Sequence, residues 1–375
     1  MPITLDGTNG ITTPTYGGAD TSEYLVPVTG FKNKIINGSM TIDQRNAGAS
    51  VTQTTGNVFP VDRFFVTGSV TSKFTAQQSS TAPAGFNKSL LITSSSAYSV
   101  GSGDFYVVAQ NIEGYNVADL NWGTANAKTV TLSFWVRSSL TGTFGGALVG
   151  GSTYSYPFTY TISAADTWEQ KSITVTGTSS GTWDTTNGSG LIVRFGLGVG
   201  TTYSGTAGSW SANNYFSATG ATSVVGTNGA TFYITGVQLE VGSTATSFDY
   251  RPYGTELALC QRYYYKVKSA GTSFSNLGTG YNTATTTANI MVFFPVTLRT
   301  RPTALETSGT ASDYSIAHEN TATTCSAVPT YSAPSNEFQS LTIFTVSSGL
   351  TTGQGSRGCS SINNANAFLA WSAEL

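Results

Sequence analysis

The 375-residue chain is poor in charge, since Asp, Glu, Lys and Arg make up 10% of it and its formal net charge is −2. A soluble domain usually carries about 25% charged residues, and exposed helices use many of them, so this composition argues against a helical protein. The Thr, Ser, Gly and Asn that replace the charges suit short strands and tight turns, which predicts an all-β fold. The low net charge also argues against nucleic acid or an anionic membrane as a partner.

The chain shows no targeting or spanning segment. Its first thirty residues lack the basic start and apolar core of a secretory signal, and no apolar run approaches the roughly twenty residues that cross a bilayer. We therefore expect a protein made in a cytoplasm, without membrane insertion. Cys260, Cys325 and Cys359 show no CxxC pairing. We expect reduced, mostly buried thiols and neither a disulfide framework nor a zinc site.

Residues 1–30 contain few large apolar side chains, and Pro or Gly recurs at short intervals. Such a segment cannot bury enough surface to fold alone. One interpretation is a terminal extension without fixed structure. The other is a peptide that becomes ordered by adding a strand to a partner's sheet. The anchors in that case are Ile3, Leu5, Ile11, Tyr24 and Leu25.

Residues 31–251 form the first predicted domain. Short runs with apolar residues near period two, such as Phe105–Gln110 and Thr129–Arg137, alternate with turn residues. About nine or ten such runs predict a two-sheet sandwich of the jelly-roll kind. Trp135 lies within one of these strands, and we expect it in the core.

Residues 252–266 form a short helical joint. Pro252 cannot donate to a ladder, so the preceding strand must stop there. A helix is predicted from Thr255 to Tyr265, with Thr255 as its N-cap. Residues 267–375 then form a C-terminal distal β-sandwich, whose clearest strands are Ala288–Val296 and Leu341–Val346. Pro295 marks an edge or a bulge in the first of these.

Two resemblances follow from these segments. The stretches Ile36–Met40, Thr131–Arg137 and Phe232–Glu240 are similar to the jelly-roll carbohydrate-binding modules over roughly the whole first domain. These motifs are mainly structural, so they imply fold better than ligand.

A second resemblance covers nearly the whole chain and is to bacteriophage tail-fibre and receptor-binding proteins. It is carried by Leu5–Thr12, Ile42–Gly48, Gln110–Gly114, Asn121–Lys128, Arg251–Tyr264 and Ala367–Leu375. The resemblance implies a virion fibre, usually a homotrimer, whose N-terminus docks on the particle and whose distal part meets the host surface.

The resemblance implies the expected partners and location. Residues 1–30 would bind another virion protein of the tail, baseplate or adaptor, and the fibre would bind a bacterial surface polysaccharide or lipopolysaccharide. The protein would be synthesised in the host cytoplasm and exposed on the exterior of the virion. Two alternatives remain open: a purely structural collar or head decoration fibre, and a polysaccharide-degrading tail protein.

The joint helix is too short to be stable alone. In a homotrimer, three copies packed around an axis would bury its apolar residues, so we expect the segment near that axis. The predicted trimer contacts are Leu257, Leu259, Cys260 and Tyr263. A trimer formed by an isolated first domain that ends at Arg251 would contradict this.

A glycan site needs flat aromatic faces for the sugar ring and amide, carboxylate or guanidinium groups for its hydroxyls. Candidates in loops of the first domain are Trp183, Asp184, Trp210, Asn213, Asn214 and Tyr215. Plugging the end of the sandwich, or a contact between protomers, is the alternative role of these aromatic residues. Candidates in the second domain are Tyr314, His318, Tyr331 and Asn363. If the distal tip meets the receptor, the second set is the better choice.

We expect no enzyme and no cofactor. A glycan depolymerase needs two carboxylates about 5–10 Å apart, and Asp62, Asp104, Glu113 and Asp184 are the available ones. No parallel β-helix repeat, GxSxG, HExxH or P-loop is present. A structural calcium ion, which the jelly-roll modules often hold, is the alternative to no metal, and its ligands would include Asn37, Asp43 and Glu240. Thr235-Gly236 stands where those modules commonly carry an acidic pair, which argues against the ion.

Overall fold

The structure is a computed structural model that describes residues 4–6, 10–12, 31–150, 153–319 and 321–375. The chain divides into two compact units, Met1–Lys32 and Asn33–Leu375. In the smaller unit, β1 (Thr4–Asp6) and β2 (Gly10–Thr12) form an antiparallel pair that places Leu5 opposite Ile11. Ile3, Tyr24 and Leu25 lie outside the described residues, so the docking role of this segment stays a prediction.

The larger unit begins with a sandwich of two six-stranded sheets. The front sheet has the order β11 (Tyr154–Ile162), β10 (Gly142–Gly150), β13 (Ser189–Val199), β8 (Phe105–Glu113), β5 (Phe64–Gly68) and β4 (Val58–Val61). The back sheet has the order β12 (Glu169–Val175), β9 (Val130–Ser138), β16 (Thr231–Val241), β7 (Ser89–Ser94), β6 (Phe74–Ser79) and β3 (Val51–Thr52). A short parallel pair, β14 (Ser204–Gly205) and β15 (Ser217–Ala218), lies in the connection between β13 and β16.

The strands alternate inward and outward residues, as the period-two pattern requires. Phe134 of the back sheet meets Phe195 of the front sheet edge to face, with ring centroids 5.0 Å apart, inside one continuous core. The predicted two-sheet jelly roll is confirmed. The prediction for Trp135 is wrong, because Phe134 and Val136 occupy the inner face of β9 and the side chain between them must face outward, where it is half-buried.

The joint helix α1 spans Tyr253–Gln261. It begins two residues before the predicted start because Pro252 is its N-cap and accepts a hydrogen bond from the amide of Glu256 at 3.0 Å. Thr255 therefore lies inside the first turn and does not cap the helix. The helix also ends before the predicted Tyr265, because the chain enters β17 (Tyr264–Lys268).

The rest of the larger unit is a second sandwich. Its small sheet has the order β17, β26 (Phe368–Ser372) and β20 (Glu306–Thr307). Its large sheet has the order β22 (Thr321–Thr324), β21 (Tyr314–His318), β25 (Gly355–Ser360), β18 (Asn276–Ala284), β19 (Thr287–Phe293), β24 (Gln339–Thr345) and β23 (Ala327–Tyr331). Ile290 and Phe344 of the large sheet pack with Trp371 of the small one in a core of their own. Strand β19 ends at Phe293, before Pro295.

The two sandwiches meet through a set of buried and half-buried ion pairs, which we call the junction: Arg45, Asp62, Arg63, Glu113, Arg262 and Glu374. Arg63 pairs with Glu374 and lies over the ring of Tyr263, with its Cζ 3.5 Å from the ring centroid. Arg262 binds both carboxylate oxygens of Glu113, at 2.9 and 2.6 Å. These pairs fasten the second sandwich to the first.

The junction changes the predicted role of α1. Cys260 and Tyr263 are fully buried in one chain, where they pack against Ile36 and Ile42. They are therefore not available as the predicted trimer contacts. Leu257 and Leu259 are half-buried against the same cluster, and their trimer role stays a prediction.

The three cysteines are free and buried, as expected. Burial raises the thiol pKa of Cys325 to about 12 and that of Cys359 to about 11, so both remain protonated at neutral pH. In the described ranges, no helix combines the length and the apolar character that crossing a membrane would require.

Candidate functional site

An open groove of about 590 Å³ runs along the outer face of the front sheet. Its floor comes from β10 and β13 through Val149, Ile192 and Arg194. The inward residues of β13 are Leu191, Val193 and Phe195, so the alternation turns Ile192 and Arg194 to the outer face. One wall is the β12–β13 loop with Trp183, and the other is the β14–β15 loop with Asn214. We call this site the groove.

Three tryptophans from three loops lie together at one wall of the groove. Trp122, Trp183 and Trp210 meet edge to face, with ring centroids 4.9, 5.2 and 5.7 Å apart. Each indole N–H donates to a backbone carbonyl, and the acceptors are Lys128, Ser180 and Thr176. Trp122 is buried, whereas Trp183 and Trp210 are half-buried. We call this set the tryptophan cluster.

Trp183 is the member of the tryptophan cluster that reaches the groove. Its ring lies so close to two glycines that a Cβ would stand 2.1 Å from it at Gly150 and 2.8 Å from it at Gly123. A cavity of about 120 Å³ on its other side is lined by Leu120, Asn121 and Asp184 among others. Because Gly150 and Gly123 carry no side chain, the Trp183 ring can pack against both positions, between the cavity and the groove.

Asp184 and Arg194 place opposite charges in the groove. The amide and hydroxyl of Thr186 donate to Asp184 Oδ1 at 2.6 and 2.7 Å, and these bonds lower the pKa of the carboxyl. Asp184 is therefore ionised at neutral pH and can accept hydrogen bonds from hydroxyls. Arg194 Nη1 donates to Asn214 Oδ1 at 2.7 Å, and burial lowers the pKa of the guanidinium to about 10. It stays protonated at neutral pH.

Three of the six first-domain candidates line the groove: Trp183, Asp184 and Asn214. Trp210 packs behind them against Tyr156, with centroids 5.4 Å apart. Asn213 and Tyr215 hold the β14–β15 loop through the Ser155 hydroxyl, which donates to the Asn213 carbonyl and accepts from the Tyr215 amide. Trp183 packs against the core of the sandwich and also lines the groove, so its role as a glycan contact stays a prediction.

Sequence reasoning missed Arg194, which looked like one polar residue in an apolar strand. The signal was available in the alternation of β13, because an inward Val193 and Phe195 require an outward Arg194 on the face where loop residues gather.

The second-domain candidates are not brought together. Tyr314 is fully buried, and its hydroxyl donates to the Phe368 carbonyl at 2.7 Å, so it cannot contact a glycan as predicted. Tyr331 packs against the core and donates to the Pro302 carbonyl. His318 ends β21, near one edge of the large sheet, whereas Tyr331 lies in β23 at the other edge. Asn363 is exposed in the loop after β25 and accepts from the Ser273 amide.

The oxygens considered for calcium have protein donors. Asn37 Oδ1 accepts from the Ile42 amide, and the Asp43 carboxylate accepts from the amides of Asn46 and Gly48. Glu240 accepts from the amide and hydroxyl of Thr246. In the part of the chain that the structure describes, no three His, Cys, Asp or Glu side chains form a metal-binding group. The expectation that the chain uses no cofactor stays a prediction.

The four carboxylates considered for catalysis lie in different surroundings. Asp62 belongs to the junction, Glu113 binds Arg262, and Asp104 accepts from the hydroxyls of Ser69 and Tyr98. Asp184 is the one carboxylate among the described residues that line the groove. That lining does not contain the carboxylate pair that glycoside hydrolysis ordinarily needs.

No protein-family model and no curated protein matches the sequence. Among solved structures, the enzymatically active domain of tailspike protein 4 from bacteriophage CBA120 matches with a TM-score of 0.32 and 11% identity, over 56% of this chain and 22% of that one. The family 11 carbohydrate-binding module from Clostridium thermocellum, in complex with a β-1,3-1,4-mixed-linked tetrasaccharide, matches with a TM-score of 0.28 and 10% identity, over 54% and 100%. Modules of the C. thermocellum xylanase 10B with xylohexaose give 0.26 and 11%, over 51% and 29%. Likenesses this distant carry no argument about ligand or activity.

Proposed function

We propose that the chain is a non-enzymatic bacteriophage fibre subunit whose first sandwich binds a bacterial surface glycan in the groove. Residues 1–30 would attach it to another virion protein, and the protein would lie on the particle exterior. The location of the glycan site differs from the sequence-based preference for the distal sandwich, because the groove gathers an aromatic ring and polar groups that the second-domain candidates do not.

The observation that carries the proposal is the composition of the groove. Trp183 offers a rigid ring that can stack on the apolar face of a sugar, and its position is set before a ligand arrives. Asp184 can accept and Asn214 can donate hydrogen bonds to hydroxyls. Open grooves with an apolar surface and a few placed polar groups are typical of ligand sites.

The fibre role rests on the resemblance of six short segments of the sequence to tail-fibre proteins. A homotrimer would present three grooves to one cell surface. Simultaneous engagement would raise the overall affinity well above that of a single weak site.

The test is binding of fluorescent full-length protein to intact host cells, with and without periodate oxidation of surface sugars. We expect periodate-sensitive binding that falls about 30-fold in Trp183→Ala, because truncating a central aromatic contact costs about 2 kcal/mol of binding free energy. Trp168→Ala is the matched control, since Trp168 is also half-buried but packs against Tyr233 of the back sheet. Its binding should be unchanged.

Asp184→Asn guards against a folding defect in Trp183→Ala, because it leaves the tryptophan cluster intact. Unaltered cell binding by both groove variants would contradict the proposal. Absence of binding by well-folded wild type would favour the structural fibre, and release of soluble oligosaccharide would identify a degrading enzyme.

A further inference from the structure

We propose that the groove selects an acidic sugar, a residue such as a hexuronic acid whose carboxylate binds Arg194. This inference rests on the proposed function and narrows it to one class of glycan.

Arg194 is a charged residue buried in an apolar part of the front sheet. Its side chain is in the middle of β13, between Ala109 of β8 and Ala147 of β10, and only 9% of the residue is exposed. Two alanines supply no polar group to compensate a guanidinium. Removing a charge from water is costly unless a partner replaces the water.

Arg194 also lacks a counter-ion in the described part of the chain. Within the described residues, no carboxylate lies within ion-pair distance of Arg194, although Arg45, Arg63 and Arg262 each have one at the junction. Its Nη1 donates to Asn214, while Nε and Nη2 make no hydrogen bond to any described residue. Two adjacent N–H donors on one edge of a planar guanidinium match the two oxygens of a carboxylate.

A purely structural role explains only part of this arrangement. Arg194 does hold the β14–β15 loop, since its Cζ lies 3.8 Å from the Phe216 ring centroid and Nη1 reaches Asn214. A neutral side chain could also donate to Asn214, although the bond would lack the strengthening that a charged donor gives. The contact with Phe216 uses the charge only through the face of an aromatic ring, and the two remaining donors have no partner among the described residues at a groove open to solvent.

Asp184 determines the orientation in which we expect the acidic sugar to bind in the groove. It lines the same groove, and its hydrogen bonds to described residues come from Thr186 and not from Arg194. A carboxylate next to Asp184 would be repelled, whereas hydroxyls there would donate to it. The sugar should thus bind with its acid group toward Arg194 and its hydroxyls toward Asp184.

The experiment is an array of uronate-containing oligosaccharides, each beside its carboxyl-reduced neutral counterpart and a phosphorylated sugar, probed with full-length protein. We expect at least tenfold tighter binding to the acids than to their reduced forms. The Arg194→Gln variant should lose that preference, whereas Arg137→Gln, which alters a half-buried arginine on the back sheet, should keep it.

Arg194→Lys separates charge from geometry, because lysine keeps the charge but lacks the planar pair of donors; we expect it to recover only part of the preference. If Arg194→Gln does not fold, the preference of the wild type and its weakening by added salt still decide the matter. Equal binding to acid and reduced forms would overturn the inference and leave glycan binding intact. Preference for phosphorylated sugars alone would overturn the carboxylate assignment, and binding to no glycan would overturn both proposals.

Discussion

The junction and the groove both bury arginines, but they treat the charge differently. At the junction, the Arg63 side chain is 2% exposed and pairs with Glu374, and Arg262 pairs with Glu113. In the groove, Arg194 is nearly as buried, and its bonds to described residues go to neutral groups. An arginine that is paired with a carboxylate holds two elements together. An arginine without a counter-ion at an open groove could still bind an anionic ligand.

The largest effect should come from breaking a junction pair. Glu374→Ala removes the carboxylate partner of the buried Arg63 and leaves Arg45 with only its longer contact to Asp62, at 3.9 Å. We expect a loss of about 3–5 kcal/mol in the free energy of unfolding, measured by urea denaturation. Arg137→Ala is the control, since its pair with Asp166 is exposed and is worth about 0.5 kcal/mol. Equal losses in the two variants would contradict a structural role for the junction.

A change of intermediate size in the free energy of unfolding is expected when the pH is varied. Burial raises the pKa of Asp62 from 3.8 to about 6, against the opposing influence of Arg45 and hydrogen bonds from Gln44. Because this pKa is higher in the folded state, the native protein binds more protons than the unfolded chain between these values. The resulting stabilisation is fully present below about pH 4 and is lost as the pH rises through about 6.

A pKa difference of one between the folded and unfolded states corresponds to about 1.36 kcal/mol, so the raised pKa of Asp62 contributes about 3 kcal/mol to the free energy of unfolding at low pH. Urea denaturation of wild type and Asp62→Asn from pH 4 to 7 should show the contribution of Asp62 as a difference between the two profiles that falls as the pH rises through about 6. Parallel profiles would show that Asp62 is not buried as a protonated acid at the junction.

The smallest effect on stability is expected in the groove. Arg194→Gln gives up a hydrogen bond and the packing on Phe216, but it also removes a buried charge without a counter-ion. We expect a change within about 1 kcal/mol in thermal or urea unfolding. A loss as large as that of Glu374→Ala would mean that Arg194 supports the fold in the same way as the junction arginines.

Much of the fold could be predicted because alternation is a local signal. The run predicted at Thr129–Arg137 forms β9 at Val130–Ser138, and the predicted helix differs from α1 mainly at its ends. Contacts between residues that are far apart in the sequence cannot be predicted from any single segment. Tyr314 finds its acceptor at Phe368, and Cys260 is covered by Ile36 and Ile42 more than 200 residues earlier. The predictions about these two residues failed for that reason.

The groove was accessible to sequence reasoning only in part. Trp183 and Asp184 could be predicted because polar loops that carry aromatic residues often bind ligands. The glycine at position 150 and the outward turn of Arg194 acquire meaning only when β10 and β13 lie side by side, since the pairing of Val149 with Ile192 places the two strands in register.

The tryptophan cluster has an optical consequence. Indole rings with centroids less than 6 Å apart couple their electronic transitions, so the three rings should contribute a shared signal to circular dichroism in the far ultraviolet. Trp183 is the member of that coupled set that lines the groove. A sugar stacked on it would change the polarity of its surroundings and therefore its fluorescence emission. The protein therefore carries a built-in fluorescent reporter, and occupancy of the groove can be followed without attaching a dye.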